Sequence, residues 1–184
     1  PRESGVARMF CDIHHPDGTA FEGDPRQVLK RQLKRAADLG YTFYVSPEME
    51  YCYFKDSGGR VPLDRGGYFD QISDAGSDLR RETVLTLEAM GIEVEYSHHE
   101  VAQSQHEIAL RYTDALTMAD AAMTYRLVVK EIATTNGVYA TFMPKPLAGV
   151  QGSGMHTHLS LFEGDANVFH DPAGSHPLSR TGQA

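Results

Sequence analysis

Apolar residues along this chain recur at two periods, and glycine, proline and aspartate separate the segments that keep each one. Residues 7 to 13, "ARMFCDI", read as a strand, and "HHPDGTAFEGD" after them as a turn-rich loop. Asp24 followed by Pro25 predicts a helix start. Val28, Leu29, Leu33, Ala36 and Ala37 form its apolar stripe, and Gly40 stops it. Residues 41 to 55 predict a strand rich in aromatics, and "DSGGRVPLDRGGY" a loop. A second helix falls on 76–90, with Leu79, Leu87 and Met90 inward and Gly91 as its stop. Strands follow near 92–97 and 105–112. Asp114 caps a long helix over 115–135 that ends near Gly137, and strands near 138–143 and 155–162 complete the pattern.

Strands therefore come in pairs with helices between the pairs. That order predicts an α+β fold: a mainly antiparallel sheet with helices on one face. No G-x-G-x-x-G follows a strand, which disfavours a dinucleotide-binding fold. The length of 184 residues suits one domain with a sizeable core, and 41% hydrophobic with 23% charged residues is a globular composition. Lys plus Arg number 17 against 25 Asp plus Glu, a net charge of −8, which argues against nucleic-acid or anionic-membrane partners. Two cysteines, Cys11 and Cys52, make no disulfide framework, so a reducing cytoplasm is the expected location. No apolar run has the length of a membrane helix. The chain lacks an initiating Met, and Ser179 reads as a helix start with no helix after it, so a piece of a larger protein is expected.

The chemistry sits on the strands. In "GSGMHTHLSLF", period two puts His156, His158, Ser160 and Phe162 on one face and Met155, Thr157, Leu159 and Leu161 on the other. The second set reads as the core face. The first reads as a wet face suited to a metal, an anion or plain polar surface. In "SPEMEYCYF", Glu48 and Glu50 share a face with Cys52 and Phe54. Their Cα atoms are roughly 7 Å apart by strand geometry. Like charges so placed in a half-buried sheet are costly without a cation or protein donors. In "EVEYSHHEVAQSQHEIALRY", Glu100 ends one strand and Glu107 lies in the next, with Gln105, Ala109 and Arg111 on its face. His98, His99 and His106 crowd the same loop. Glu48, Glu50, Glu100, Glu107 and His156 together are hard oxygen ligands with one imidazole, which suits Mg²⁺ or Mn²⁺ better than Zn²⁺. Four carboxylates exceed what one Mg²⁺ usually takes, and such clusters commonly clamp nucleotide phosphates.

"SPEMEYCYF", "GGYFD", "EYSHHEVAQSQHEI" and "ATFMPKPLAGVQGSGMHTHLSLF" resemble, in order and spacing, the signature blocks of type I glutamine synthetases and their close relatives. The resemblance implies a curved sheet with helices on its outer face. Residues 1–184 would then be a partial catalytic domain, with the small N-terminal domain and the later catalytic segments absent. It further implies two or three Mg²⁺ or Mn²⁺ ions per site and ATP as a substrate. Glu50, Glu100 and Glu107 match ligands of the ion beside glutamate and ammonia, and Glu48 and His156 those of the ion on the ATP phosphates. Gln151, Gly152 and Tyr68 match the glutamate and ammonia pocket. Glu95, Tyr112, His158 and Ser160 match nucleotide-contacting positions. The implied reaction joins the γ-carboxylate of glutamate to ammonia through a γ-glutamyl phosphate, with no protein nucleophile. The implied partners are ATP, L-glutamate, ammonia or an amine, and further copies in stacked rings. The fragment alone is expected to be inactive.

The chain departs from the family pattern at Gln103 and Ser104, where Pro-Gly is usual, and at Gln151, where Asn is frequent. Both departures lie near the amine end of the site, so a relative that joins glutamate to a polyamine or another amine is the alternative. A non-catalytic structural relative is the third reading, although no visible metal glutamate is lost. A metal-dependent amidohydrolase would open with its His-x-His pair; here His156 and His158 come last, behind four glutamates.

Overall fold

A computed structural model describes residues 5–183. In chain order the elements are α1 (Pro25–Asp38), β1 (Thr42–Phe54), α2 (Ser77–Ala89), β2 (Val94–His99), β3 (Gln105–Leu110), β4 (Thr113–Asp114), α3 (Ala115–Thr135), β5 (Tyr139–Thr141), β6 (Met155–Glu163), β7 (Ala166–Asn167) and α4 (Arg180–Gln183). They form two compact units. One comprises the residues up to Tyr44, Asp114–Asp120 and those from Ser160 onward; the other comprises Val45–Thr113 and Ala121–Leu159.

The second unit holds the sheet that matters for function. Its strands run β2-β3-β1-β6, with β5 also on β1. The β1–β3 ladder is antiparallel and pairs Glu50 with Glu107, Tyr51 with His106 and Cys52 with Gln105. β2 and β3 form an antiparallel pair whose register shifts between Val94 and Tyr96. Such an irregularity bends a strand and sharpens its twist. Period two splits β1 into a carboxylate face (Glu48, Glu50) and an aromatic face (Met49, Tyr51, Tyr53). The aromatic face is the core. Tyr51 and Tyr53 are fully buried, their rings meet edge to face at 5.1 Å, and Tyr125 of α3 packs on Tyr51 at 6.2 Å. The Tyr125 hydroxyl donates to the Met49 carbonyl at 3.2 Å. Leu79 and Leu87 of α2 and Val129, Ile132 and Ala133 of α3 are buried as well. Each large side chain so buried contributes about 1.5–3 kcal/mol of transfer free energy. The predicted α+β class with an antiparallel sheet is thus found, and in this unit the helices leave the carboxylate face uncovered.

In the first unit, Asp24 caps α1 by accepting from the Arg26 N–H at 2.9 Å, and its other oxygen accepts from the Ile13 N–H at 3.0 Å. Arg26 is held by Asp12 and Asp120. The Tyr44 and Phe162 rings meet edge to face at 5.0 Å. The end of β6 pairs with β7, Phe162 against Asn167.

Five expectations are corrected. Residues 7–13 form no strand; among the described residues they have no ladder, only a bridge between His14 and Ala20 just beyond. Without a neighbouring strand, an apolar run has nothing to pair with. The α1 stripe contains no buried residue, so that helix is held here by its cap and ion pairs rather than by a core. Met90 is exposed, because it falls at the C-cap beyond the last packed turn. Met155 and Leu159, expected on a core face of β6, are also exposed. Ser179 does start a helix: α4 follows, with the Ser179 Oγ accepting from the Gly182 N–H at 3.1 Å.

Candidate functional site

The register of the sheet gathers the acidic residues. Glu50 and Glu107 are direct partners across β1 and β3, and His98 of β2 is the partner of Glu107 on its other side. Glu100 follows β2 immediately. Ligand-type atoms of His98, Glu100 and Glu107 lie within 4.8 Å of one another. Glu107 is buried, and its Oε1 has no hydrogen-bond partner. Burial, then the charges of Glu48, Glu100 and Glu50, push the Glu107 acid up to about 7. Four carboxylates therefore share one field on one face of the sheet, and burial together with that field raises the acid of one of them.

Glu48 and Glu50 are better provided for. The Glu48 Oε1 accepts from the Tyr96 hydroxyl at 3.0 Å and pairs with the His158 Nε2 at 2.9 Å. The His158 hydrogen bond, against burial and with help from Tyr96 and the charge of His156, holds Glu48 below the usual carboxylate range. The Glu50 Oε2 accepts from the Gln105 Nε2 at 2.7 Å and from the Gly154 N–H at 3.1 Å. Gly152 carries no side chain for a steric reason, and Gly154 lies directly against the site. A Cβ at Gly152 would sit 2.6 Å from the Pro144 carbonyl, and one at Gly154 would sit 3.4 Å from the Glu50 Oε1 and 3.6 Å from the His156 Nε2. Of the pocket residues, Tyr68 is half exposed with its ring 5.1 Å from that of His98, and Gln151 is exposed. Among the nucleotide positions, Glu95 and Tyr112 are exposed, His158 is engaged with Glu48, and Ser160 belongs to the other unit.

A second polar cluster lies on the opposite face of β3. The His99 Nε2 pairs with the Asp64 Oδ1 at 3.0 Å and its Nδ1 with the Glu100 carbonyl at 2.6 Å. Asp74 takes Arg80 through two bonds of 3.0 and 2.6 Å, and the Arg80 Nη1 donates to the His106 Nδ1 at 2.8 Å. Burial, then the charges of Arg80 and His99, push the His106 imidazolium down to about 3. That ring is therefore neutral, with its proton on Nε2. Asp64 also accepts from the Ser104 N–H at 3.1 Å, while the Ser104 Oγ bridges the Asp64 backbone N–H and carbonyl at 2.7 and 3.1 Å. Ser104 is the one non-glycine residue among those described with positive φ, +56°. This paired clasp holds it in the left-handed region that glycine usually fills. The cluster already has its cations, Arg80 and His99, so a metal would have to displace them. The Glu107 cluster, with an orphaned buried oxygen and mutually repelling carboxylates, fits a hard divalent ion.

Sequence reasoning placed Glu48, Glu50, Glu100, Glu107 and His156 on strands or strand ends, and the structure brings the four glutamates together with His156 beside Glu48 and Gly154. It did not find the roles of Tyr96 and Gln105, or the Asp64–Arg80 cluster. Gln105 shares the strand face of Glu107, and that parity was the available signal; Asp64 and Asp74 lie in loops with no period to read.

A helix-backed antiparallel sheet that presents glutamates and imidazoles on its open face defines a class of carboxylate-lined α+β proteins. The family model "Glutamine synthetase, catalytic domain" matches residues 22–184, and the chain belongs to that family. It is 57% identical over 171 residues to the glutamine synthetase of Mycolicibacterium smegmatis, covering 90% of this chain and 38% of that protein. It is 50% identical over 187 residues to that of Thermus thermophilus, covering 98% and 42%. A solved GmaS–ADP complex superposes with a TM-score of 0.84 at 33% identity, over 93% of this chain and 41% of that one. The chain thus spans about two-fifths of the curated relatives' length. No helix among the described residues is long and apolar enough to cross a membrane.

Proposed function

We propose that the protein to which this chain belongs is an ATP-dependent ligase that joins the γ-carboxylate of glutamate to ammonia through a γ-glutamyl phosphate. The observation that carries this reading is the convergence of Glu48, Glu50, Glu100 and Glu107 on one sheet face, with the Glu107 Oε1 buried and unpartnered. Family membership and the likeness to an ADP-bound structure support the nucleotide. Glu50, Glu100, Glu107, with Glu48 and His156 beside them, would hold Mg²⁺ or Mn²⁺. Such ions neutralise charge on the phosphoryl group as it moves.

The chain's own residues prepare that site. Tyr96 and His158 keep Glu48 ionised, and Gln105 with the Gly154 N–H holds the Glu50 carboxylate in place. Gly152 lets the backbone lie close enough to position a small amino acid. Tyr68 stands at the rim beside His98. The terminal phosphoryl of ATP passes to the glutamate carboxylate, the amine attacks the acyl carbon, and phosphate leaves. The departure at Gln103–Ser104 argues little for a larger amine, because the Ser104 hydroxyl is spent on Asp64 and not on the glutamate side of β3.

The test uses the full-length protein. Phosphate release from ATP should require glutamate, ammonia and Mg²⁺ together, with glutamine as the product. Release with a polyamine and none with ammonia would move the reading to the alternative amine. No release with any amine would overturn it in favour of a non-catalytic relative.

A further inference from the structure

Gln105 is 1% exposed, and the one nitrogen of its amide meets three polar atoms. Its Nε2 lies 2.7 Å from the Glu50 Oε2, 3.0 Å from the Gly152 carbonyl and 3.1 Å from the Ser153 Oγ. A carboxylate and a carbonyl can only accept, so the amide must present its N–H₂ to them. One N–H₂ group thereby ties β1 to the 152–154 loop. The Gly154 N–H closes the same ring on the Glu50 Oε2 from the loop side at 3.1 Å, and the Gly154 carbonyl accepts from the Glu50 N–H at 3.2 Å.

We propose that Gln105 is a positioning residue for the amino-acid substrate: its amide fixes the Glu50 carboxylate and the Gly152 carbonyl in one orientation. Both Glu50 Oε2 bonds come from Gln105 and the loop, which leaves Oε1 on the side of Gly154 and His156. A carbonyl oxygen has two lone pairs. With one directed at Gln105, the second Gly152 lone pair is aimed for a donor such as the α-ammonium of an amino acid. Ser104, clasped by Asp64 just before Gln105, sets the direction in which the side chain leaves the backbone. The proposal rests on the glutamate-ligase reading for its substrate, but the clasp itself can be measured without turnover.

The experiment compares the full-length protein with Gln105→Met, which keeps length and apolar bulk but removes the donors, and with Ser153→Ala, which removes one acceptor on an only half-buried residue. Hydrogen exchange of the backbone over 150–154 should quicken by about tenfold or more in Gln105→Met, as expected when a buried hydrogen-bonded anchor is lost. The KM for glutamate should rise about tenfold, with the KM for ATP within about threefold, the pattern of lost positioning of the amino acid. Ser153→Ala should move the same readouts in the same direction by a smaller factor. Unchanged exchange over 150–154 in both variants would overturn the clasp. Equal rises in the KM for glutamate and ATP would overturn the positioning role. A wild-type protein that forms no amide would sink the ligase reading, while the exchange data would still decide the clasp.

Discussion

Glu107 concentrates the conflict in this molecule. It is buried, faces Glu50 across the ladder and His98 on its other side, and holds an oxygen with no donor. With its acid raised from 4.5 to about 7, the folded protein binds a proton that the unfolded chain has released over that range. Stability contributed by this group is therefore present at pH 4.5 and falls as pH rises toward 7. In EDTA, the melting temperature should decline from about pH 5 to about pH 7, and Glu107→Gln should flatten the decline. Added Mn²⁺ should restore the neutral-pH value by binding the folded state. Thermal melts over that pH range, with and without Mn²⁺, check both. The acidic face itself was legible in the sequence, because period two forces Glu48 and Glu50 to one side of β1. The donors that answer those charges were not. Asp64 meets Ser104, forty positions further along the chain, and no local pattern encodes that meeting.

At the scale of elements, capping signals were read correctly and burial only in part: Leu79 and Leu87 of α2 are inward as expected. Asp24–Pro25, Gly40, Gly91, Asp114 and Gly137 bound their helices where the structure does, because caps are satisfied locally. The strand expected over 7–13 and the inward face expected of Met155 and Leu159 both needed distant partners. α1 is the sharpest case: an amphipathic helix with no buried residue, pinned by Asp24 and by Arg26 on Asp12 and Asp120. Asp24→Ala removes the acceptor of both the Arg26 and Ile13 amides. It should cost about 1–2 kcal/mol in urea unfolding. No measurable loss would show that α1 is held by something other than its start.

For the whole molecule, the chain covers 38% and 42% of two glutamine synthetases that it resembles. Met9, Phe69, Ile72 and Met155 are exposed apolar residues that other parts of a longer protein, or further copies of it, are suited to cover. Residues 1–184 alone should bind Mn²⁺ yet form no amide from ATP, glutamate and any amine. The full-length protein should form it and sediment as a large oligomer. A phosphate-release assay and sedimentation velocity on both would show this, and robust turnover by residues 1–184 or a monomeric full-length protein would contradict it.

The central claim is that the open face of the sheet is a divalent-cation site, and anomalous scattering from crystals of the full-length protein grown with Mn²⁺ and ATP tests it most directly. The account predicts anomalous peaks within ligand distance, about 2.0–2.3 Å, of carboxylate oxygens of Glu50, Glu100 and Glu107, and a further peak at Glu48 and His156. Peaks confined to the Asp64–Asp74–His99–His106 cluster, or a Glu107 carboxylate with no ion beside it at saturating Mn²⁺, would contradict it.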